Sequence, residues 1–300
     1  MPDIPRQNID EIVAKYELHP DLFDIYVEGA FDRDFIFEFL DSAGTRGDVS
    51  VYAIDDIEVP PEQVSALGLG HGSNRNRVLT LSKILEARLP AINTNIICLV
   101  DADLDRLYGQ LRSWVYLAHT DYTCMEMYSL NDSSLKRFLR LTCNLGEGKA
   151  SEFLAIASTV LPIQFCLRGA IEALGLNISI PPFSCGLRTK KDLTTFSADR
   201  YIDHFLRTNS LLDRSEEIKT QLTDLRSRLT DDIRHKAHGH DFVELLFEFS
   251  WLRGGVKLHS KEADVKKFGS RIVASQVDFA ALAAEPFFCR YRKAFGIGRQ

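Results

Sequence analysis

The sequence predicts an α/β fold, with a mainly parallel sheet in the first half followed by a mostly α-helical region. Three observations predict it. Short apolar runs rich in β-branched residues alternate with helical stretches up to about residue 130. One of these runs, Ile96-Ile97-Cys98-Leu99-Val100, is apolar throughout, as suits a strand buried on both faces. After about residue 145 strand signals fade and helical periodicity takes over.

Residues 9–16 read as a short helix. Leu22 to Val27 (LFDIYV) is the first strand, running into Glu28-Gly29-Ala30-Phe31-Asp32, and the FIFEFLDSAG that follows is helical, ended by Gly44 and Gly47. Residues 49–54 form a second strand, then an acidic loop through Pro60 and Pro61. The glycine-rich GLGHGSNRN, residues 68–76, opens a helix that stops at Pro90, with Ser73 or Asn74 as its N-cap. Residues 95–100 are the third strand. WVYLA, residues 114–118, is the fourth, ending in His119-Thr120-Asp121, and a helix spans 133–143. Residues 151–174 are long, apolar and helical, with Pro162 as a kink or break. Residues 188–192 are a basic, exposed stretch, and 202–212, 216–234 and 242–252 have helical periodicity. The expected division is an α/β domain over 1–132 and a helical domain over 133–300, with right-handed crossovers in the sheet.

The 300 residues are 45% hydrophobic and 26% charged, enough for one large domain or two modest ones. The net charge of −6 conceals an asymmetry: residues 1–132 carry 10 Lys and Arg against 23 Asp and Glu, a net −13, and residues 133–300 a net +7. An acidic half suits metal ions and a basic half suits a polyanion, although charged helices also simply solvate a surface. Six scattered cysteines without a CxxC pair read as reduced thiols and exclude a disulfide scaffold. No apolar run reaches the length of a membrane span, and MPDIPRQNIDE lacks a signal pattern, so the expected location is cytoplasmic, with no membrane contact.

The chemistry is carried by carboxylates at strand ends. The first strand ends in Glu28, with Asp32 four residues on. The third ends in Asp101 and Asp103, with Asp105 next, and the fourth is followed by Asp121 and Glu126. Parallel strands in one sheet deliver all of these to the same edge, where open α/β sheets bind ligands. Asp101 and Asp103 share a side if the chain stays extended. Clustered carboxylates repel, and hard oxygen donors favour Mg2+ or Mn2+. The same residues also suit an Asx turn and an acidic helix N-terminus.

Tyr26-Val27-Glu28-Gly29 with Asp32, then Leu99-Val100-Asp101-Ala102-Asp103, resembles the TOPRIM domain of topoisomerases, primases and the overcoming-lysogenisation-defect nucleases, over roughly residues 20–130. Glu126 resembles the third acidic position of the nuclease branch. Gly239-His240-Asp241-Phe242-Val243-Glu244-Leu245-Leu246 resembles a recurring element of the stand-alone TOPRIM effectors of phage-defence operons. The resemblance implies a Rossmann-like TOPRIM core and a metal-dependent endonuclease. In it Glu28 is the catalytic acid or base, Asp101 and Asp103 are metal ligands, and Asp32 and Glu126 support an ion. It also implies a nucleic-acid substrate, DNA or RNA, and an ABC-type ATPase partner that restrains a toxic effector, and it allows a homodimer. A non-catalytic TOPRIM-fold subunit of an ATPase complex and a primase-like nucleotidyl transferase share the same pattern. The absence of a zinc or helicase module counts against the primase, and the complete Glu28, Asp101 and Asp103 set counts against a dead domain.

Other candidates are weaker. Arg75, after the glycine-rich loop, suits a phosphate at a helix N-terminus. Arg188, Lys190 and Lys191 suit a nucleic-acid backbone. His235, His238 and His240 have no cysteine nearby and read as structural, and His119 beside the fourth strand suits an acid or an orienting group for Asp121. The C-terminal mixture of Phe287, Phe288, Tyr291 and Phe295 with Arg290, Arg292 and Lys293 reads as an interface.

Overall fold

The computed structural model describes residues 6–45, 49–90, 95–190, 193–255, 262–292 and 295. Its first elements are β1 (Gln7–Asn8), α1 (Ile9–Leu18), β2 (Asp24–Val27), α2 (Ala30–Ser42), β3 (Ser50–Ala53), β4 (Ile57–Glu58), α3 (Pro61–Ala66), α4 (Asn74–Arg88), β5 (Ile96–Val100), α5 (Asp105–Tyr108) and β6 (Leu117–His119). Then come α6 (Asp132–Arg137), α7 (Lys149–Ala173), β7 (Leu187–Lys190), β8 (Leu193–Phe196), α8 (Ala198–Thr208), α9 (Ser215–Ser227), α10 (Gly239–Leu252), α11 (Glu262–Ala274) and α12 (Pro286–Arg290).

The expected parallel sheet is present. Its order is β3-β2-β5-β6, and every neighbouring pair is parallel. The two central strands, β2 and β5, are buried at every residue, which is why their sequences are apolar runs. One core packs Tyr26, Cys98 and Val100 of the sheet with Ile9, Ile12 and Val13 of α1 and Val78, Leu81 and Leu85 of α4. The helix α2 packs against β3 and buries Phe35, Ile36, Phe39 and Leu40, a single stripe at helical spacing. Gly44 ends that segment at φ +69°, a left-handed conformation that favours glycine.

Several expectations are corrected. The fourth strand lies at Leu117–His119, three residues beyond the start expected from WVYLA, because Trp114 to Tyr116 form a turn in which the Trp114 carbonyl accepts from the Leu117 N–H. The helix expected over 133–143 is α6 followed by one π-helical turn, Phe138–Thr142. Of the basic stretch expected at 188–192, residues 188–190 belong to an antiparallel pair, β7 with β8, in which Arg188 pairs with Thr195, and 191–192 lie outside the described residues. Pro162 neither breaks nor ends α7, which runs for 25 residues and buries the proline in its core. Packing there outweighs the cost of about 3 kcal/mol for an internal proline. Contrary to expectation, α7 is also long and apolar enough to cross a membrane, the one such helix among the described residues; 67% of its apolar window is buried within the protein.

The chain forms two compact units. The first comprises Met1–Ala102, Gln110–Asp121 and Asp278–Gln300, and the second Asp103–Gly109 and Tyr122–Val277. The units therefore part elsewhere than at the expected 132/133 boundary, and the C-terminal aromatic stretch is no free interface. Phe288 packs at a tilt against Phe39 of α2 at 4.3 Å, and Phe295 on Phe39 and Phe279 on Phe35 pack edge-to-face at 5.6 and 5.2 Å, all inside the first unit. Lys293 lies outside the described residues. One core of the second unit packs α7, α8 and α9 around Phe165, Cys166, Tyr201, Phe205, Leu222 and Leu225. Burial pushes the Cys166 thiol up to about 11, and the Arg226 charge opposes part of that shift, so it packs as an inert thiol.

Candidate acidic site at the carboxyl edge of the sheet

Glu28 follows the last residue of β2, and Asp101 follows the last residue of β5. These strands are adjacent and parallel, with Tyr26 opposite Cys98, so both carboxylates emerge at the same edge. They are also linked: Glu28 Oε1 accepts the Asp101 backbone N–H at 2.9 Å. The Asp101 carbonyl accepts from Arg75 Nε at 3.4 Å, so a guanidinium stands beside the carboxylates. Arg75 belongs to the first turn of α4, whose N-cap is Ser73; its Oγ accepts from the Asn76 N–H.

The other expected acids are engaged elsewhere. Asp32 is the third residue of α2, and its Oδ2 accepts the Gly29 N–H at 3.0 Å, an N-terminal capping role. Asp121 Oδ2 accepts the Phe287 N–H at 2.8 Å and so caps α12. Thr120, between His119 and Asp121, is buried, and its Oγ1 accepts the Ala102 N–H at 3.1 Å. His119, the last residue of β6, has its Nε2 3.0 Å from the carbonyl of Arg112 in the segment before the strand. The chain does not stay extended through the DxD motif. It turns after Ala102, and Asp103 sits at φ +38°, a region uncommon for a non-glycine residue. The extended chain on which the period-two placement of Asp101 and Asp103 rested is therefore not present.

Glu126 belongs to the second unit, on a buried turn at Met125–Ser129. Its Oε1 accepts from Ser270 Oγ at 2.9 Å and lies 3.9 Å from His240 Nδ1. Its Oε2 lies where a Cβ on Gly239 would stand, 2.5 Å away, with Cys124 Sγ at 2.6 Å. This explains the glycine: the carboxylate and the thiol occupy the side-chain space at the start of α10. Gly239→Ala is accordingly expected to destabilise the chain by about 1–3 kcal/mol, the usual range for overpacking, read as a lowered urea midpoint. An unchanged midpoint would show that Glu126 moves aside without cost.

Beside this cluster, burial holds the His238 imidazole well below its ordinary value, at about 4; Arg168 and His240 lower it further, and Asp241 and Glu126 oppose the shift. Its Nδ1 is buried with no hydrogen-bond partner among the described residues. A histidine neutral in the fold and protonated in the unfolded chain makes stability fall as pH drops from about 6.5 towards 4. Unfolding midpoints across that window should fall less steeply in His238→Gln than in wild type. Parallel curves would place the acid sensitivity elsewhere.

Among the described residues, no three His, Cys, Asp or Glu side chains come together as a metal-ligating group. The expected convergence of five carboxylates is therefore not seen as a metal-ligating group among the described residues, and Asp32 caps a helix. Mg2+ is commonly bound through only one or two carboxylates, with water and substrate phosphates completing its shell. The oxygen donors of Glu28 and Asp101 fit that chemistry. Of the weaker candidates, Arg188 lies on β7, the Lys190 side chain is not among the described parts, and Lys191 lies outside the described residues. Sequence reasoning missed Asn74 and Arg77. The signal was the Asn-x-x-Arg spacing at the mouth of α4, which puts both on one helix face. No protein-family model matches the chain, and no curated protein matches it.

Proposed function

We propose that the chain is a magnesium-dependent nuclease that hydrolyses phosphodiester bonds of DNA or RNA, and that it serves as the effector of an anti-phage defence system under an ABC-type ATPase partner. The observation that carries the chemical part is the meeting of Glu28 and Asp101 at the carboxyl edge of two adjacent parallel strands. The defence role and the ATPase partner rest on the resemblance of the sequence alone.

In this reading Asp101 would hold the ion, and only the DxD resemblance assigns Asp103 the same role. When bound, the ion supplies positive charge to a phosphate oxygen and to the attacking water. Glu28 takes the proton from that water. Its Oε1 is directed to the Asp101 amide, which sets the orientation of the carboxylate for this step. Arg75 offers its charge to the phosphate. Arg188, Lys190 and Lys191 contact the nucleic-acid backbone by charge alone.

The test incubates the full chain with single- and double-stranded DNA and with RNA, in Mg2+, in Mn2+ and in chelator. Cleavage that requires the ion supports the reading. Binding without cleavage under any ion would turn it towards a non-catalytic subunit.

A further inference from the structure

The first turn of α4 is built around Asn74 and Arg77, three residues apart. Arg77 is held by four acceptors in its own unit. Nη2 donates to the Ile54 and Ile57 carbonyls at 2.7 and 2.8 Å, and Nη1 donates to Asp55 Oδ1 at 2.8 Å and to Asn74 Oδ1 at 3.1 Å. A guanidinium can only donate, so the bond to Asn74 fixes which end of that amide is oxygen. The other end, Nδ2, donates to the Glu28 carbonyl at 2.9 Å and approaches Asp55 Oδ2 at 3.4 Å.

Glu28 is thereby held at three points. Asn74 takes its carbonyl, Asp32 takes the following N–H, and its own Oε1 sits on the Asp101 N–H. The loop after β2 has no regular structure of its own at Glu28 and Gly29, whereas α4 is a 15-residue helix packed into the core. The helix is the rigid body, and Asn74 is its contact with the loop. We propose that Asn74, oriented by Arg77, is a positioning residue that keeps the Glu28 carboxylate seated on the Asp101 amide, ready for proton transfer. The functional half of this rests on the nuclease reading of the same edge. Neither side chain touches reacting atoms in this scheme; both act through Glu28. A displacement of about 1 Å at such a group can cost about 10²-fold in rate.

The test is placed on Asn74, because removing Arg77 would strand two carbonyls and risk unfolding. Asn74→Asp keeps an acceptor for Arg77 but replaces the donor to Glu28 with an oxygen. Asn74→Ala removes both contacts. Ser73→Ala is the control: it loses the α4 cap, about 1 kcal/mol, without touching Glu28. The first readout is amide hydrogen exchange at Asp101, which reports the position of Glu28 whether or not the chain cleaves anything. Both Asn74 variants should speed it about tenfold, the weakening expected from one lost hydrogen bond, and Ser73→Ala should not. The second readout is cleavage, where kcat should fall about 10²-fold in the Asn74 variants with KM unchanged. Asp101 exchange in Asn74→Asp equal to wild type, or equally fast in Ser73→Ala, overturns the proposal. Failure of the nuclease reading shows elsewhere, as equal cleavage by wild type and Glu28→Ala, and leaves the exchange result to stand.

Discussion

Glu28→Ala should lose magnesium-dependent phosphodiester cleavage by about 10²–10⁴-fold, the usual contribution of a positioned proton-transfer group. The fold should survive. The substitution removes one hydrogen bond to the Asp101 amide, a net loss of about 1 kcal/mol, and relieves the repulsion between two carboxylates at one sheet edge. These effects oppose each other, so the thermal midpoint should stay close to wild type. Glu28→Gln sharpens the test. Its amide oxygen can still accept the Asp101 N–H, so positioning is retained, but it cannot take a proton at neutral pH. Gln and Ala should therefore be equally inactive if Glu28 moves a proton. Gln should retain most activity if Glu28 only organises the loop. Glu38→Ala, on the exposed face of α2, is the control and should lie within about 0.5 kcal/mol of wild type with full activity. Cleavage by Glu28→Ala at the wild-type rate would remove the central residue of the mechanism.

The parts of the fold that were legible in the sequence are those where burial alone dictates composition. Ile96–Val100 is buried at all five positions, so its strand could be read from an unbroken apolar run. Asp24 could not be read in this way. It is a buried carboxylate in the central strand, satisfied by Lys15 and by Tyr16 Oη at 2.7 Å, and Tyr16 in turn bonds Tyr26. Burial pushes the Tyr16 hydroxyl far above its ordinary value, and the neighbouring Tyr26 and Asp24 add to it, so it stays a donor. Such pairing joins a helix to a strand at a distance no local pattern reveals. The C-terminal aromatics are the same case: the partners of Phe288 and Phe279, Phe39 and Phe35, lie 249 and 244 residues earlier in the chain. At the site, Glu28 and Asp101 were legible because strand ends in parallel sheets share an edge. Asp32, Asp121 and Glu126 were not. A carboxylate that caps a helix, as Asp32 and Asp121 do, or that accepts a distant hydroxyl, as Glu126 does from Ser270, has the same sequence signature as one that holds a metal, and only its donor partner separates them.

Asp241→Ala should destabilise the second unit by about 3 kcal/mol, the low end of the range for breaking a buried pair from one side. Asp241 is 2% exposed and takes Arg168 with both oxygens: Nε donates to Oδ2 at 2.7 Å and Nη2 donates to Oδ1. The pair ties α7 to the first turn of α10, where the helix dipole also favours a carboxylate. Burial alone would lower the Arg168 value, but the hydrogen bond and charge of Asp241 reverse it, and it ends above the ordinary one. The low end of the range applies because the Arg168 side chain is about a third exposed, so water can recover part of the lost partner. Removing Asp241 leaves a guanidinium facing His238, which Arg168 already disfavours in its charged form, so the variant should also lose stability more steeply below pH 6.5. The reciprocal Arg168→Met should cost a comparable amount. The double variant Arg168→Met/Asp241→Leu should recover most of the loss, because a well-packed apolar pair often replaces a buried ion pair without penalty. Urea midpoints of wild type, Arg168→Met, Asp241→Leu and the double variant form a double-mutant cycle, with an expected coupling of about 2 kcal/mol or more. Additive single losses would mean that each group acts alone, and that the link between α7 and α10 is apolar packing rather than the ion pair.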